Sequence, residues 1–185
     1  MKHKLIIFSG PSGVGKGAML EILKERRDDF VVSVSCTTRA PRATEIPDVS
    51  YHYITDEEFL RLKDEGYFLE WDGHFGGFYG TPKDFVFENL KNKHVILEIE
   101  VNGALKVREL VPDCVLVMVL PPSREELRRR LEKRKSETPK SIEDRLARYD
   151  YEVSKKHLYD YVIINDVLPA AADEFSAVLD AVLTE

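Results

Sequence analysis

The residues Ser9-Gly10-Pro11-Ser12-Gly13-Val14-Gly15-Lys16-Gly17 carry the densest chemical signal in this chain. The spacing Gly10-x-x-x-x-Gly15-Lys16 lets successive backbone N–H groups turn inward around an anion, and Lys16 adds a point charge for outer phosphates. An apolar run, Leu5-Ile6-Ile7-Phe8, precedes the loop, and Met19, Ile22 and Leu23 follow it on one helical face. A helix starting there brings partial positive charge to the same anion. Gly17 and Ala18 supply no hydroxyl where such loops usually offer one to Mg²⁺. The plainer reading is a glycine-rich turn joining strand to helix.

Further clusters suit a second anion and a flat ring. Arg39 and Arg42, three residues apart with Pro41 between them, can present planar forks to one small anion. By themselves they are equally a solvated basic turn. Tyr51 and Tyr79 can donate phenolic hydroxyls to a phosphate, although Tyr79 also suits a plain strand. Glu70 can accept from adjacent N–H donors, an edge that guanine has and adenine lacks. Thr81, before Pro82, is also a good helix N-cap. Glu98 and Glu100 share a face by alternation at a strand end. One can hold Mg²⁺ through water while the other faces a base. Arg130, Arg134, Arg145 and Arg148 form a basic set, some of whose members can close over a transferring phosphoryl group.

Five apolar runs position these clusters and read as buried parallel strands: Leu5–Phe8, Val31–Val34, Val95–Ile99, Val115–Leu120 and Tyr161–Ile164. Helical patterns separate most of them, which predicts an α/β three-layer sandwich on a five-stranded parallel sheet. Ser123-x-x-Glu126 and Ser141-x-x-Asp144 read as helix starts. Residues 36–92 break the rhythm and read as an inserted small αβ lobe, in which Thr55-x-x-Glu58 starts a helix. There Tyr67–Trp71 and His74–Tyr79 pair around a Gly73 turn. Residues 1–35 and 93–185 then form the core, and a lid lies at about 134–141.

The 185 residues are 43% hydrophobic and 32% charged, as expected of one globular domain. A net charge of −6 argues against nucleic acid or an anionic membrane as the main partner. Cys36 and Cys114 show no metal-like spacing and fit a reducing, cytoplasmic setting. Met1-Lys2-His3-Lys4 runs straight into the first strand without the pattern of a signal peptide, and no apolar run approaches membrane-span length.

Taken in order, Gly10–Gly17, Ser33-Val34-Ser35-x-Thr37-Thr38-Arg39-x-x-Arg42 and Phe78-Tyr79-Gly80-Thr81 resemble the guanylate kinases. So do Leu97-Glu98-Ile99-Glu100-Val101-x-Gly103-Ala104, Pro121-Pro122-Ser123 and Tyr161–Asp166. Guanylate kinases are nucleoside monophosphate kinases built around a phosphate loop. The resemblance covers about Leu5 to Leu183. It implies transfer of the γ-phosphoryl of ATP to GMP with Mg²⁺, by a monomer or homodimer. Gly10, Pro11, Ser12, Gly13, Val14, Gly15, Lys16 and Gly17 then line the ATP side, with Asn165 near the adenine. Arg39, Arg42, Tyr51 and Tyr79 hold the GMP phosphate, while Ser35, Glu70, Thr81 and Glu100 recognise guanine. Lys16, Arg39, Arg134 and Arg145 serve the transfer, with Glu98 on Mg²⁺ through water. The rival readings are another small-molecule kinase on this fold and a weakly active protein-binding module. The sequence departs from the family pattern at Gly17-Ala18, across Ala43–Tyr51 and at Arg134-Lys135, where family members usually have Arg-Gly.

Overall fold

The computed structural model describes residues 3–42, 45–74, 76–133 and 138–182. Strands β1 (Leu5–Ser9), β2 (Phe30–Val32), β7 (His94–Glu98), β8 (Val115–Leu120) and β9 (Tyr161–Ile164) form a parallel sheet in the order β2-β7-β1-β8-β9. The central runs are apolar at nearly every position because both faces are covered. Ile6 and Phe8 pack with Met19, Leu20 and Leu23 of α1 (Lys16–Arg26) and with Phe175, Val178 and Leu179 of α7 (Leu168–Val182). On the other face, Leu5 and Ile7 pack with Val101, Ala104 and Val107 of α4 (Val101–Leu110). This is the three-layer α/β sandwich that the alternating pattern predicts.

The Phe8 and Phe175 rings stack with centroids 4.3 Å apart and planes inclined by 2°. Both are fully buried. Phe175→Ala is expected to cost about 3–5 kcal/mol, by lost burial and an unfilled cavity. Urea unfolding checks this, and a loss below about 1 kcal/mol would place the core elsewhere.

The segment from Cys36 to Asn89 builds a second sheet. Its strands are β3 (Cys36–Thr37), β4 (His52–Tyr53), β5 (Phe68–His74) and β6 (Gly77–Pro82), in the order β4-β3-β6-β5. Phe59 of α2 (Asp56–Asp64) stacks on Phe68 and Phe78 and fills this small core. Thr55 caps α2, accepting from the Glu58 amide at 3.2 Å. Leu69, and Val86 of α3 (Lys83–Asn89), join the packing around α4, so the small sheet rests on the larger one. From α4, Lys106 Nζ also donates to the Trp71 carbonyl at 2.9 Å.

Two local expectations change. The hairpin does not turn at Gly73, which pairs with Phe78 inside the ladder while the strands reverse beyond His74. A glycine inside a strand is as compatible with close approach of a neighbouring side chain as with a turn. Ser141 does not open its helix either. The cap of α6 (Pro139–Ser154) is Thr138, Pro139 occupies the first turn, and Ser141 is the far member of the capping box. Ser123 does cap α5 (Arg124–Lys133), accepting from the Glu126 amide at 3.1 Å.

Candidate functional site

Phe8 of β1 lies beside Glu98 of β7 in the parallel register. The loop that leaves β1 therefore opens at the carboxyl edge of the sheet, next to the end of β7. Ligands of open α/β sheets gather at such edges. Gly10, Gly13 and Gly15 all adopt positive φ. Gly15, at φ 104°, is the N-cap of α1, and a Cβ there would meet Asn165 Nδ2 at 2.6 Å. Only glycine satisfies both the backbone conformation and that approach. α1 has no side-chain cap and no acidic residue in its first turn. Its N-terminal amides are thus left for an outside anion.

The loop is braced from behind. Asn165 is buried and donates through Nδ2 to the Val14 carbonyl at 2.7 Å. Arg130 donates to the same carbonyl at 3.3 Å and to the Asn165 carbonyl at 2.9 Å. Pro11, Val14 and Asn165 are not among the residues lining the cavity. Asn165, which the resemblance sets near an adenine, braces the loop through the Val14 carbonyl. Arg145 of α6 bonds the Ser12 hydroxyl.

In front of the loop is a cavity of about 510 Å³, within the range of small-ligand sites. Gly10, Ser12, Gly13, Gly15, Lys16, Gly17 and Arg145 line one side. Ser35, Arg39, Arg42, Tyr51, Glu70 and Tyr79 line the other, with Glu98 and Glu100 between. The fold brings all of these sequence-chosen residues together. Thr81 stands one step back, behind Glu70. Arg134 and part of the 134–141 stretch lie outside the described residues.

Lys16 Nζ donates to the Gly10 carbonyl at 2.6 Å and lies 3.9 Å from Glu98 Oε1. Across the cavity, Arg39 Nε donates to the Tyr79 hydroxyl at 3.1 Å. The Arg39 guanidinium also stands 5.0 Å from the Tyr51 ring centroid. Its two terminal nitrogens grip Glu45, at 2.6 and 2.7 Å. Glu45 further accepts from the Arg42 amide and the Tyr53 hydroxyl, each at 2.8 Å. The Arg39 bond, foremost among these, holds the Glu45 carboxyl down at about 2. Burial pushes the Tyr51 hydroxyl up to about 12, which keeps it a neutral donor.

Glu45 escaped the sequence reading. Its signal was the continued spacing Arg39-x-x-Arg42-x-x-Glu45 in the loop after β3, and its remaining partner, Tyr53, comes from β4. Asp72 was also missed; it lies two residues beyond Glu70 on the same strand and lines the same wall.

Glu70 is 7% exposed. It accepts from the Thr81 hydroxyl at 2.7 Å, so Thr81 serves Glu70 and does not cap a helix. Its other oxygen faces Gly103 of α4, where a Cβ would lie only 2.7 Å away. Burial pushes the Glu70 carboxyl up to about 7, against the Thr81 bond and the Lys106 charge, while the Asp72 charge adds to the rise. The unfolded carboxyl has its ordinary value of 4.5, so the folded chain binds more protons between 4.5 and about 7. Glu70 therefore contributes stability in acid that is lost as pH rises through about 7. A charged carboxylate here is held at a cost to the fold.

Glu98 stands half-open beside Lys16, Gly17 and Ala18. Among the described residues no group of three or more acidic, histidine or cysteine side chains could hold a metal. One carboxylate near a phosphate cradle fits an Mg²⁺ that arrives on phosphate oxygens and keeps its waters.

Comparison with known proteins gives a consistent set of likenesses. The guanylate kinase family model matches residues 2–182. The guanylate kinase of Clostridium perfringens strain SM101 is 46% identical over 176 residues, covering 95% of this chain and 82% of its own. That of Thermus thermophilus is 43% identical over 182 residues, covering 98% and 82%. The crystal structure of guanylate kinase from Anaplasma phagocytophilum superposes with a TM-score of 0.80 at 35% identity, covering 97% of this chain and 85% of that one.

Proposed function

The chain belongs to the guanylate kinase family, and from that membership we propose that it moves the γ-phosphoryl group of ATP onto GMP, giving ADP and GDP. The observation that carries the reading is the pairing of a phosphate loop with a guanidinium fork across one cavity, with Glu70 buried beside them. The rival kinase and protein-binding readings are not favoured, since relatives at 46% and 43% identity across nearly the whole chain are guanylate kinases.

The ATP phosphates sit in the loop, against the free amides of α1 and Lys16. The GMP phosphate sits against Arg39, Arg42, Tyr51 and Tyr79. Tyr79 and Glu45 hold the Arg39 guanidinium at the cavity wall, and the phosphate competes with Glu45 for its terminal N–H groups. The guanine N1–H and N2–H₂ edge donates to Glu70, with Ser35, Thr81 and Glu100 beside it. A GMP phosphate oxygen then attacks in line, and no protein nucleophile is needed. The protein's part is to align two anions and neutralise growing charge, through Lys16, Arg39 and Arg145. The Mg²⁺ that travels with ATP, when bound, supplies further neutralisation of the phosphates. Glu98 meets it through water.

The lobe formed by residues 36–92 closes toward the core and excludes competing water; of the stretch 134–141, residues 134–137 lie outside the described residues and 139–141 open α6. Cys36 and Cys114 are both free and buried, which suits a reducing cytoplasm. Among the described residues no helix is long and apolar enough to cross a membrane.

A panel of monophosphates with ATP tests the assignment. GMP is expected to be turned over far faster than AMP or UMP, and an equal or faster AMP rate would overturn it. The pH dependence is a second test. As pH rises from about 6 to 8, Glu70 ionises and the KM for GMP is expected to fall, while the KM for ATP does not follow it. Glu70→Gln should lack that step, and an unchanged pH profile in the variant would assign the step to another group.

A further inference from the structure

Arg148 belongs to α6 but does not line the cavity. It stands behind one of the residues that does. Its Nη2 donates to Glu100 Oε2 at 2.8 Å, and its Nε lies 3.5 Å from Glu152 Oε1. Glu152, one turn further along α6, is 1% exposed. One guanidinium therefore bridges a carboxylate on the cavity wall and a carboxylate sealed in the interior. The contact with Glu152 is incomplete: Arg148 Nε and Glu152 Oε2 are both buried without a hydrogen-bond partner.

Such a bridge is poor value as a stabilising device. Buried ion pairs roughly break even against apolar side chains of the same volume, and unsatisfied polar atoms make the balance worse. What the bridge does supply is direction. Glu100 sits at the start of α4 as its N-cap, yet its side chain makes no capping bond there. Its carboxylate is turned instead to Arg148. The Arg148 guanidinium is steadied on its other side by the Tyr151 ring, 5.3 Å from the centroid. The same helix also reaches the phosphate loop through Arg145 and Ser12. One face of α6, bearing residues 145, 148 and 152, thus touches the phosphate side and the purine side together.

We propose that Arg148 is a positioning residue for purine recognition: anchored on Glu152, it fixes the Glu100 carboxylate toward the base of the monophosphate. The inference rests on the reading above in which Glu100 meets guanine. Arg148 never touches substrate. Its effect reaches the acceptor through Glu100 and leaves the triphosphate side alone.

Steady-state kinetics of the full chain test this with Arg148→Met, Arg148→Lys and the double variant Arg148→Met/Glu152→Gln. Loss of one charged hydrogen bond to Glu100 is expected to raise the KM for GMP about tenfold or more in Arg148→Met. The KM for ATP should stay within about twofold. Arg148→Lys, which keeps one charged donor, should recover part of the GMP effect. Arg148→Met also takes from the buried Glu152 its ion-paired cation and leaves it only the charge of Lys16, so its melting temperature should fall. The double variant removes that buried carboxylate as well and should recover the melting temperature but not the KM for GMP. A purely structural bridge gives the opposite pattern, with GMP affinity returning alongside stability. That pattern, an unchanged KM for GMP in Arg148→Met, or a parallel rise for both substrates would overturn the proposal. Failure of the underlying reading is visible separately, as absent GMP turnover in the unaltered chain.

Discussion

Lys16→Ala is expected to lower turnover by about 10³-fold or more, with the fold intact. The ammonium group leans on the Gly10 carbonyl at 2.6 Å and faces the cavity beside Glu98. It belongs to the first turn of α1, whose N-terminal amides line the loop. Phosphoryl transfer depends on positioning and charge neutralisation, and a single well-placed cation in such sites is worth about 10³–10⁵ in rate. Stability should change little. Its removal leaves the Gly10 carbonyl and the Glu98 carboxylate, both of which line the open cavity. Turnover and thermal melting measured together check this. Turnover within tenfold of the unaltered chain would remove the loop from the mechanism.

Glu70→Gln is expected to lower kcat/KM for GMP by about 100-fold while shifting the KM for ATP less than about threefold. A carboxylate accepts two hydrogen bonds from guanine, whereas an amide accepts through one atom and presents donors at the other. The mismatch leaves a guanine N–H facing an N–H₂ in a buried place, at about 1.5–3 kcal/mol for each charged bond lost. Binding sites that hydrogen-bond a substrate reject a mismatched partner strongly for this reason. The Thr81 hydroxyl can still donate to the amide oxygen, so the strand pair survives. Relief of the buried charge is expected to leave stability equal or higher. Equal weakening of both substrates would contradict the assignment of Glu70 to guanine.

The part of the site that depends on short spacing was legible in the sequence. Ser9–Gly17 announces itself because turn, amides, lysine and helix start are all local. The five parallel strands were legible because continuous apolar runs need cover on both faces, and their ends moved by only a residue or two. Side chains whose partners come from elsewhere were not legible. Glu45 has Arg39 and Arg42 close in sequence, but the loop conformation that turns its carboxylate onto them and onto Tyr53 of β4 is not written in that spacing. The role of Thr81 was ambiguous because Thr before Pro suits a cap, and only the Glu70 contact separates the readings. Gly73 misled because a glycine can weaken a strand without ending it. Thr138 was overlooked in favour of Ser141, although Pro139 at the first helical position was the better marker of the start.

Glycine at position 17 and alanine at 18 bear on the metal. With no hydroxyl there, an Mg²⁺ brought by the proposed ATP would be left to phosphate oxygens, water and Glu98, a donor set that octahedral coordination tolerates.

The central claim is that two anions occupy one cavity side by side, the triphosphate on the α1 amides and the monophosphate on the Arg39 fork. Calorimetric titration of the chain with GMP, before and after saturation with a non-hydrolysable Mg·ATP analogue, tests it most directly. One GMP per chain should bind in both titrations, with affinity retained when the analogue is present. Displacement of one nucleotide by the other, or no GMP binding at all, would contradict the account.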